Sequence, residues 1–525
     1  MSCEPEPRKD TIQSINPATL EVNAEIEVTY PDEIPGIMAA AREAQSEWVK
    51  LPYRKRLEYL HAANRLMLDN LDDIARTITL DNGKPLLEAV NSEIYPVFDM
   101  LAFCASDAPK ALRPEKLKNA IFPIARIESE NVFQPLGVIG IISPWNFPFA
   151  IPMTQIIPAL AAGNAVIFKP SEFTPLVGDA IKNIFEHINL PKGLFNVIQG
   201  LGTDLGDPLL DAKPDKLIFT GSVPVGKHLM ERASRNLTPI ALELGGKDPF
   251  VVLEDADIER ASSAAVWGAF VNAGQVCASV ERVYVHEKIA EEFIDKVVAK
   301  TRKLRIGNGV DQGIDMGPMI NERRIATVEA HIADAKAKGA RVLAGGGRVA
   351  GLPGWFFEPT VLVDVNHTMD CMMEETFGPT LPIMTFKDEN EALALANDSQ
   401  YGLLSSVWSR NIRHAQSFAA RIQAGTVVVN DCLFTYGFAQ CPWGGVKNSG
   451  IGRTHSVHGL LEFVNIKNIT TSKGLLQEDI WWYPYSHKKY EGMKAGLKSL
   501  YCDGLTCKAG GILDIMKSFN ILSRK

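Results

Sequence analysis

A chain of 525 residues that is 46% hydrophobic and 22% charged is long enough for more than one buried core and too apolar to be disordered. Its net charge of −8 carries no polyanion-binding signature, which argues against nucleic acid as a partner. Eight cysteines spread from Cys3 to Cys507 are too sparse for a disulfide framework and point to a reducing, cytoplasmic setting.

The first ten residues lack an apolar core, so no signal peptide is expected there. Ile26–Tyr30 alternates as a strand does. From Pro31 to about Asn82, apolar Trp48, Leu57, Leu60 and Leu66 recur among charges as on amphipathic helices. Helical spacing continues from Leu87 to Ser106, where Pro96 should kink or divide the helix. Residues 117–135 read as a polar strand pair. No charge occurs from Asn131 to Phe168, a length that could cross a bilayer, but five prolines rule out one regular helix. Buried strand, loop and helix are expected instead.

A change of texture follows. Val138–Ile142, Ala165–Phe168, Phe195–Ile198, Lys216–Phe219 and Ile240–Leu242 are short apolar runs, several separated by helical stretches such as Leu176–Ile188 and Val225–Ala233. That alternation implies a parallel sheet covered on both faces, with ligands bound beyond the carboxyl ends of its strands. Asn146, Lys169, Glu172, Ser222 and Glu243 all fall just past those ends. A second α/β block has strands at Phe250–Leu253, Arg282–Val285, Arg341–Ala344, Pro359–Val363, Leu381–Met384 and Thr426–Asn430, with a helix from Ile258 to Ala273. Two doubly wound domains are expected. Beyond Thr471 the composition turns basic: residues 473–525 carry a net +4, leaving −12 for the rest. Trp481-Trp-Tyr-Pro-Tyr485 precedes two amphipathic helices, one with Met493, Leu497 and Leu500, the other with Ile512, Ile515, Met516 and Phe519.

Chemistry concentrates in a few places, each with a plainer reading beside it. Cys277, in Gly274-Gln-Val-Cys277, is a nucleophile if held as a thiolate and a small buried hydrophobe otherwise. Glu243, followed by Gly245-Gly246, is a water-activating base or a carboxylate at a strand end. Asn146, between Trp145 and Phe147, is an oxyanion donor or an Asx-turn residue. Lys169, Glu172, Gly221 and Ser222 suit a nucleotide at strand-to-helix turns, although Gly221-x4-Gly226 is not the usual dinucleotide fingerprint. Glu375 and Phe377 sit in a tight-turn segment that reads as a solvated loop in isolation. The pairs His455/His458 and Cys502/Cys507 lack partners at zinc-site spacing, so no metal is assigned.

Seven ordered motifs, among them Pro144-Trp-Asn-Phe-Pro148, Phe168-Lys-Pro-Ser-Glu172, Leu242-Glu-Leu-Gly-Gly-Lys247, Gly274-Gln-Val-Cys277 and Glu375-Thr-Phe-Gly-Pro379, resemble the NAD(P)-dependent aldehyde dehydrogenase superfamily from about Ser14 to Thr471. The resemblance implies a Rossmann-like NAD-binding domain (1–116 with 136–246), a catalytic domain (247–447), a small β bridging arm for oligomerisation (117–135 with 460–472) and a helical C-terminal extension (473–525). It implies Cys277 as nucleophile, Asn146 as oxyanion donor and Glu243 as base. Lys169 and Glu172 would hold the adenine-side ribose, Gly221 and Ser222 the pyrophosphate, and Glu375 the nicotinamide ribose, with Phe377 near the nicotinamide and Trp145 among the cofactor-binding residues. A ribose-binding carboxylate favours NAD, with NADP accommodated in related enzymes. A homodimer or homotetramer is implied as well.

The substrate is expected to be an apolar aldehyde, because Phe147, Met153, Trp267, Phe270, Phe434 and Phe438 fall where a tunnel should be lined. The alternatives are a coenzyme A-acylating dehydrogenase, against which Glu243 speaks, and a catalytically silent protein on the same fold. The tail is expected to pack on its own body or a neighbouring subunit, with peripheral membrane contact as the second reading, since a net +4 is modest for lipid attraction.

Overall fold

The computed structural model describes residues 10–119, 127–473 and 481–518, with side chains up to 514. They form two compact units: Met1–Ala111 with Pro135–Asn465, and Leu112–Gln134 with Ile466–Lys525.

The first unit holds both expected α/β sheets. Across the first, the strands run Gly450–Ile451, Ile240–Glu243, Lys216–Thr220, Val138–Ile142, Ala165–Lys169 and Phe195–Val197. All neighbours are parallel except the short edge strand Gly450–Ile451. The chain winds outward from Val138–Ile142 on one side, then returns to its other side at Lys216–Thr220. That reversal opens a crevice at the carboxyl ends of these two strands, where such sheets bind ligands. The strands are apolar throughout because helices cover both faces; every residue of the helix Ala150–Ala162 is buried. The uncharged stretch Asn131–Phe168 is therefore strand, loop and helix. No helix among the described residues is long and apolar enough to cross a membrane.

The second sheet runs Arg341–Ala344, Thr360–Val363, Thr380–Phe386, Val280–His286, Asp248–Val252, Leu404–Trp408 and Thr426–Val429, parallel except at its first pair. Leu404–Trp408 is a central strand absent from the sequence reading. Its Ser405-Ser406 breaks the apolar run, yet both serines are buried, and Ser405 Oγ donates to Pro249 O at 3.0 Å. Only Leu244–Lys247 separates the end of Ile240–Glu243 from the start of Asp248–Val252. The carboxyl edge of the first sheet thus meets the amino edge of the second.

Pro96 does divide the expected helix. A π-helical stretch at Ala89–Ile94 leads directly into the helix Tyr95–Ser106, and its wider turn accommodates the ring and missing N–H of Pro96.

In the second unit, Val464–Ser472, Ile127–Pro135 and Glu115–Lys116 form a three-stranded sheet. Part of the expected 117–135 pair, residues 120–126, lies outside the described residues. Helices His487–Tyr501 and Leu505–Ser518 pack closely through small residues: a Cβ at Gly511 would stand 2.6 Å from Ser499. The larger Tyr490, Met493, Leu497 and Tyr501 point to solvent. Ile512 is exposed too; the side chains of Ile515 and Met516, and Phe519 as a whole, lie outside the described residues.

Candidate active site

The loop bearing Cys277 is held in a strained shape. The expected helix to Ala273 stops at Phe270, because Asn272 (φ 50°), Ala273 (φ 54°) and Gly274 (φ 72°) are left-handed. Two non-glycine residues in that region cost about 1–3 kcal/mol each and persist only when their surroundings hold them. Here they do. The Asn272 N–H donates to the buried Glu88 Oε2 at 2.9 Å, and Asn272 Nδ2 donates to Asn146 O at 2.9 Å and Gln275 O at 3.2 Å. Gln275 Nε2 donates to Asn272 O, and its Oε1 accepts from Ile320 N at 2.9 Å. Gly274 is obligatory: a Cβ there would lie 2.2 Å from Gly378 O.

Asn146 meets this loop from the first sheet. Its Nδ2 donates to Gln275 O at 3.1 Å, two residues before Cys277, and a carboxamide has a second N–H to offer. Its carbonyl accepts from Asn272 Nδ2 and from Lys84 Nζ, the latter at 2.8 Å. Lys84 is fully buried, pairs with Glu93 Oε1 at 2.7 Å and lies 4.0 Å from the centre of the Phe147 ring. Glu93 Oε2 accepts from Phe149 N and Ala150 N, at the start of the helix Ala150–Ala162. Lys84, Glu88, Glu93 and Gln275 were not singled out from the sequence. Only the turn Asn82-Gly83-Lys84-Pro85 hints that Lys84 leaves a helix surface.

Glu243 arrives by the short link between the sheets. A Cβ at Gly246 would fall 2.2 Å from Cys277 O, so this glycine lets the link lie against the cysteine loop. Glu243 is buried and its Oε2 has no partner. Burial raises its carboxyl well above the usual range; Arg453 opposes the shift and Glu462 adds to it. Burial, then the carboxylates of Asp248, Glu375 and Glu243, also push the Cys277 thiol up. Glu375 Oε1 accepts from Gly246 N at 3.0 Å, and burial followed by Glu281 moves its carboxyl to about 8. Trp145 and Phe377 meet edge to face at 5.4 Å, and the Arg324 guanidinium stands 5.4 Å from the Phe377 ring centre.

Along the carboxyl edge of the first sheet, Lys169 Nζ donates to Pro170 O and Glu172 Oε2, both at 3.0 Å. The Cβ position of Gly202 is 3.9 Å from Lys169 Nζ and 4.0 Å from Glu172 Oε2; Lys169 is buried, and Glu172 keeps 28% of its side chain exposed. Ser222 precedes the helix Val223–Ser234 but makes no side-chain capping bond. The Gly221 N–H donates to Glu243 O at 3.0 Å, tying this turn to the base candidate.

Cys277 lines a cavity of about 420 Å³ with Phe147, Trp267, Val276, Phe434 and Phe438. Among the described residues none of its lining side chains carries a charge; its polar members are Asn91 and Ser92, from the π-helical turn, and the tyrosines Tyr95 and Tyr436. Met153 and Phe270, expected in the tunnel, are buried in the core instead. Phe270 belongs to the helix face packed against the second sheet.

Residues 4–469 match the sequence profile of the Aldehyde dehydrogenase family. The chain belongs to the aldehyde dehydrogenase family. Within it, the 4,4'-diapolycopene aldehyde oxidase of Methylomonas sp is 41% identical over 491 residues, covering 94% of this chain and 91% of that protein. The chloroplastic betaine aldehyde dehydrogenase of Beta vulgaris is 36% identical over 485 residues, covering 91% and 95%. Among solved structures, a betaine aldehyde dehydrogenase mutant from Staphylococcus aureus in complex with NAD+ matches with a TM-score of 0.85 at 36% identity, covering 90% of this chain and 96% of that one. An E. coli NADP dependent enzyme matches with a TM-score of 0.85 at 35% identity, covering 88% and 95%.

Proposed function

We propose that this aldehyde dehydrogenase oxidises an apolar aldehyde to its carboxylic acid through an acyl thioester on Cys277. One observation carries the reading: Cys277 borders an uncharged aromatic cavity, while the loops of Asn146 and Glu243 converge on its own. Once its thiol proton has passed to water, Cys277 Sγ bonds to the carbonyl carbon, and the carbonyl oxygen becomes an oxyanion. Asn146 Nδ2 and the Cys277 N–H would donate to it, and one such donor typically contributes about 3–4 kcal/mol. Loss of hydride leaves the thioester. Glu243 then takes a proton from water as the water oxygen bonds to the acyl carbon, and sulfur leaves as thiolate. A raised carboxyl suits that task, since a base matched to the working pH transfers protons best.

The residues present fit a dinucleotide: a Lys169–Glu172 pair whose carboxylate is part-exposed, a Ser222 hydroxyl not used for capping, and a crevice at the sheet reversal. Lys169, Glu172, Gly221, Ser222, Glu375, Phe377 and Trp145 are the residues we assign to holding it. When bound, NAD supplies the hydride acceptor. NAD is preferred because Glu172 would repel a 2′-phosphate, though the Lys169 pairing leaves NADP admissible. On this reading residues 1–116 with 136–246 bind cofactor, 247–447 carry the chemistry, and 117–135 with 460–472 join subunits of a homodimer or homotetramer.

A second reading has one observation in its favour. An aromatic lining also suits a quaternary ammonium group, and a relative is named for betaine aldehyde. The cavity volume falls within the range for drug-sized ligands, and no carboxylate lines it to balance a cation. A chain-length series of aliphatic and aromatic aldehydes, with betaine aldehyde in the same panel, separates the two by kcat/KM. A higher value for betaine aldehyde would overturn the apolar assignment. Acid formation without coenzyme A excludes obligate acyl transfer to it, and turnover by Cys277→Ala would refute the nucleophile.

For residues 473–525 we propose peripheral contact with an anionic lipid surface. Exposed Trp481, Trp482, Tyr490, Met493 and Leu497, with Lys494 and Lys498 alongside, suit a helix lying in the interface. Co-sedimentation with phosphatidylserine vesicles should be lost when 473–525 are deleted; unchanged sedimentation would refute it.

A further inference from the structure

Six residues lining the Cys277 cavity come from one short segment: Leu433, Phe434, Tyr436, Gly437, Phe438 and Trp443. That segment has little regular structure. One 3-10 turn spans Phe434–Gly437, and Leu433 before it is left-handed (φ 58°). Without a helix or strand ladder to fix it, its shape depends on bonds to other elements. Near its start, Arg260 Nε donates to Asn430 O at 3.2 Å and Arg260 Nη2 to Asp431 Oδ2 at 3.1 Å. Near its end, Trp443 and Thr454 exchange N–H···O bonds of 2.8 Å. Between these, Tyr436 is held from the core. Thr154 Oγ1 gives its one hydrogen to the backbone of its own helix, with Ala150 O at 2.8 Å, so the Tyr436 hydroxyl donates to Thr154 at 3.0 Å. The polar atom of Tyr436 is engaged behind the wall, and its ring is left for the cavity.

Two short bonds meet at Ala439. This buried residue donates its N–H to Asp99 Oδ2 at 2.6 Å, and its carbonyl accepts from Ser456 N at 2.6 Å. Asp99 belongs to the helix Tyr95–Ser106, four residues after Tyr95, so the two share one face. Tyr95 lies against Gly437: a Cβ there would stand 3.6 Å from its ring. One helix face therefore grips the segment at residues 437 and 439. Phe438 sits between those two points, and its ring meets that of Phe434 edge to face at 5.4 Å. Phe434 is 40% exposed and marks the open side of the cavity. Asp99 stands behind this lining and reaches it through Ala439.

We propose that Asp99 is the positioning residue that sets this enzyme's preference for long apolar aldehydes over short ones. By holding Ala439 it fixes Phe438, and with it Phe434, as the surface against which the aldehyde's chain lies. The inference rests on the assignment of an apolar aldehyde as substrate. A two-carbon aldehyde bonded to Cys277 leaves most of a cavity of about 420 Å³ unfilled, whereas a ten-carbon chain has to run along the aromatic wall. Without the Asp99 acceptor the buried Ala439 N–H loses its partner, and the segment must move to find another, which displaces both rings.

The test compares decanal with acetaldehyde in the full-length protein at saturating NAD, following NADH. Asp99→Ala should lower kcat/KM for decanal about tenfold relative to that for acetaldehyde, the low end of what one misfitted methylene costs in an apolar pocket. The loss should appear as a higher KM for decanal with kcat retained, as removal of uniform binding requires. Asp99→Asn keeps an acceptor oxygen for Ala439 N and should restore the ratio, which a role for the negative charge would not allow. If Asp99→Ala does not fold, Asp99→Glu, which moves the acceptor by one methylene, should show the same selective loss. A ratio unchanged in whichever of these two variants folds, whether or not both rates fall, would overturn the positioning role; so would failure of Asp99→Asn to restore it. A wild-type enzyme that favours acetaldehyde would refute the apolar substrate instead, and the shift of the ratio in Asp99→Ala would still decide the role of Asp99.

Discussion

Lys84→Met tests whether the buried ion pair behind the site works through Asn146. Lys84 and Glu93 are both fully buried at 2.7 Å, and removing one partner of such a pair costs about 3–5 kcal/mol. The lower end applies, because Glu93 keeps two backbone donors, Phe149 N at 3.0 Å and Ala150 N at 2.8 Å. Expected destabilisation is therefore about 3 kcal/mol, read as a lower thermal midpoint. The effect on chemistry follows from the Asn146 carbonyl. It loses Lys84 Nζ but retains Asn272 Nδ2 at 2.9 Å, so the amide is loosened and not released. Deleting an oxyanion donor outright costs about 10²–10³ in rate, which sets the ceiling for Asn146→Ala. Lys84→Met should lose about tenfold in acylation, measured as the nitrophenolate burst with p-nitrophenyl acetate, an activated ester that acylates a reactive thiol, a partial share of that ceiling. In the double variant the two losses should not multiply, since Lys84 acts through a group no longer present. Multiplicative losses would show that Lys84 acts independently and would refute the positioning argument.

Three further outcomes are expected. Gly246→Ala drives a methyl to 2.2 Å from the Cys277 carbonyl, a backbone atom that cannot yield without moving the loop; acylation should fall by at least about 10²-fold, as for an ångström-scale misplacement, and a normal burst would contradict the packing. Glu243 must be ionised to act, and burial raises its carboxyl, so acyl-enzyme hydrolysis should rise with pH through a value above the ordinary carboxylate range. Glu243→Gln should abolish that limb of the steady-rate profile. His455 is buried and held down to about 4, so between pH 4 and 6.5 the unfolded chain binds more protons at this site. Its contribution to stability is complete above 6.5 and is lost as pH falls towards 4. His455→Gln should therefore flatten the acid dependence of the urea midpoint; an unchanged dependence would show that the ring is solvated.

Much of the site was legible because its chemistry is local. Apolar runs long enough for a strand, each ending in a polar or glycine-bearing turn, mark parallel strands covered on both faces, and Asn146, Lys169, Ser222 and Glu243 fall at their ends as expected. Where a polar residue is buried by a distant partner, that reasoning fails. Leu404–Trp408 was missed because Ser405 is satisfied by Pro249 O, 156 residues away. The helix before Cys277 was drawn too long because Asn272 is turned by Glu88, 184 positions earlier in the chain.

The sequence by itself determined the kind of fold and the candidate groups for chemistry, since strand periodicity, turn glycines and a cysteine in a small-residue turn are properties of neighbours. Tertiary structure alone decided what surrounds them. The hold of Lys84 on the Asn146 carbonyl and the cavity of about 420 Å³ depend on segments far apart in the chain packing within van der Waals contact. Phe270 and Trp267 show the difference: three residues apart on one helix, one fills the core and the other lines the cavity. Three positions leave them only about 60° apart on the helix, so it is the docking of that helix that sends one into the core and the other to the cavity.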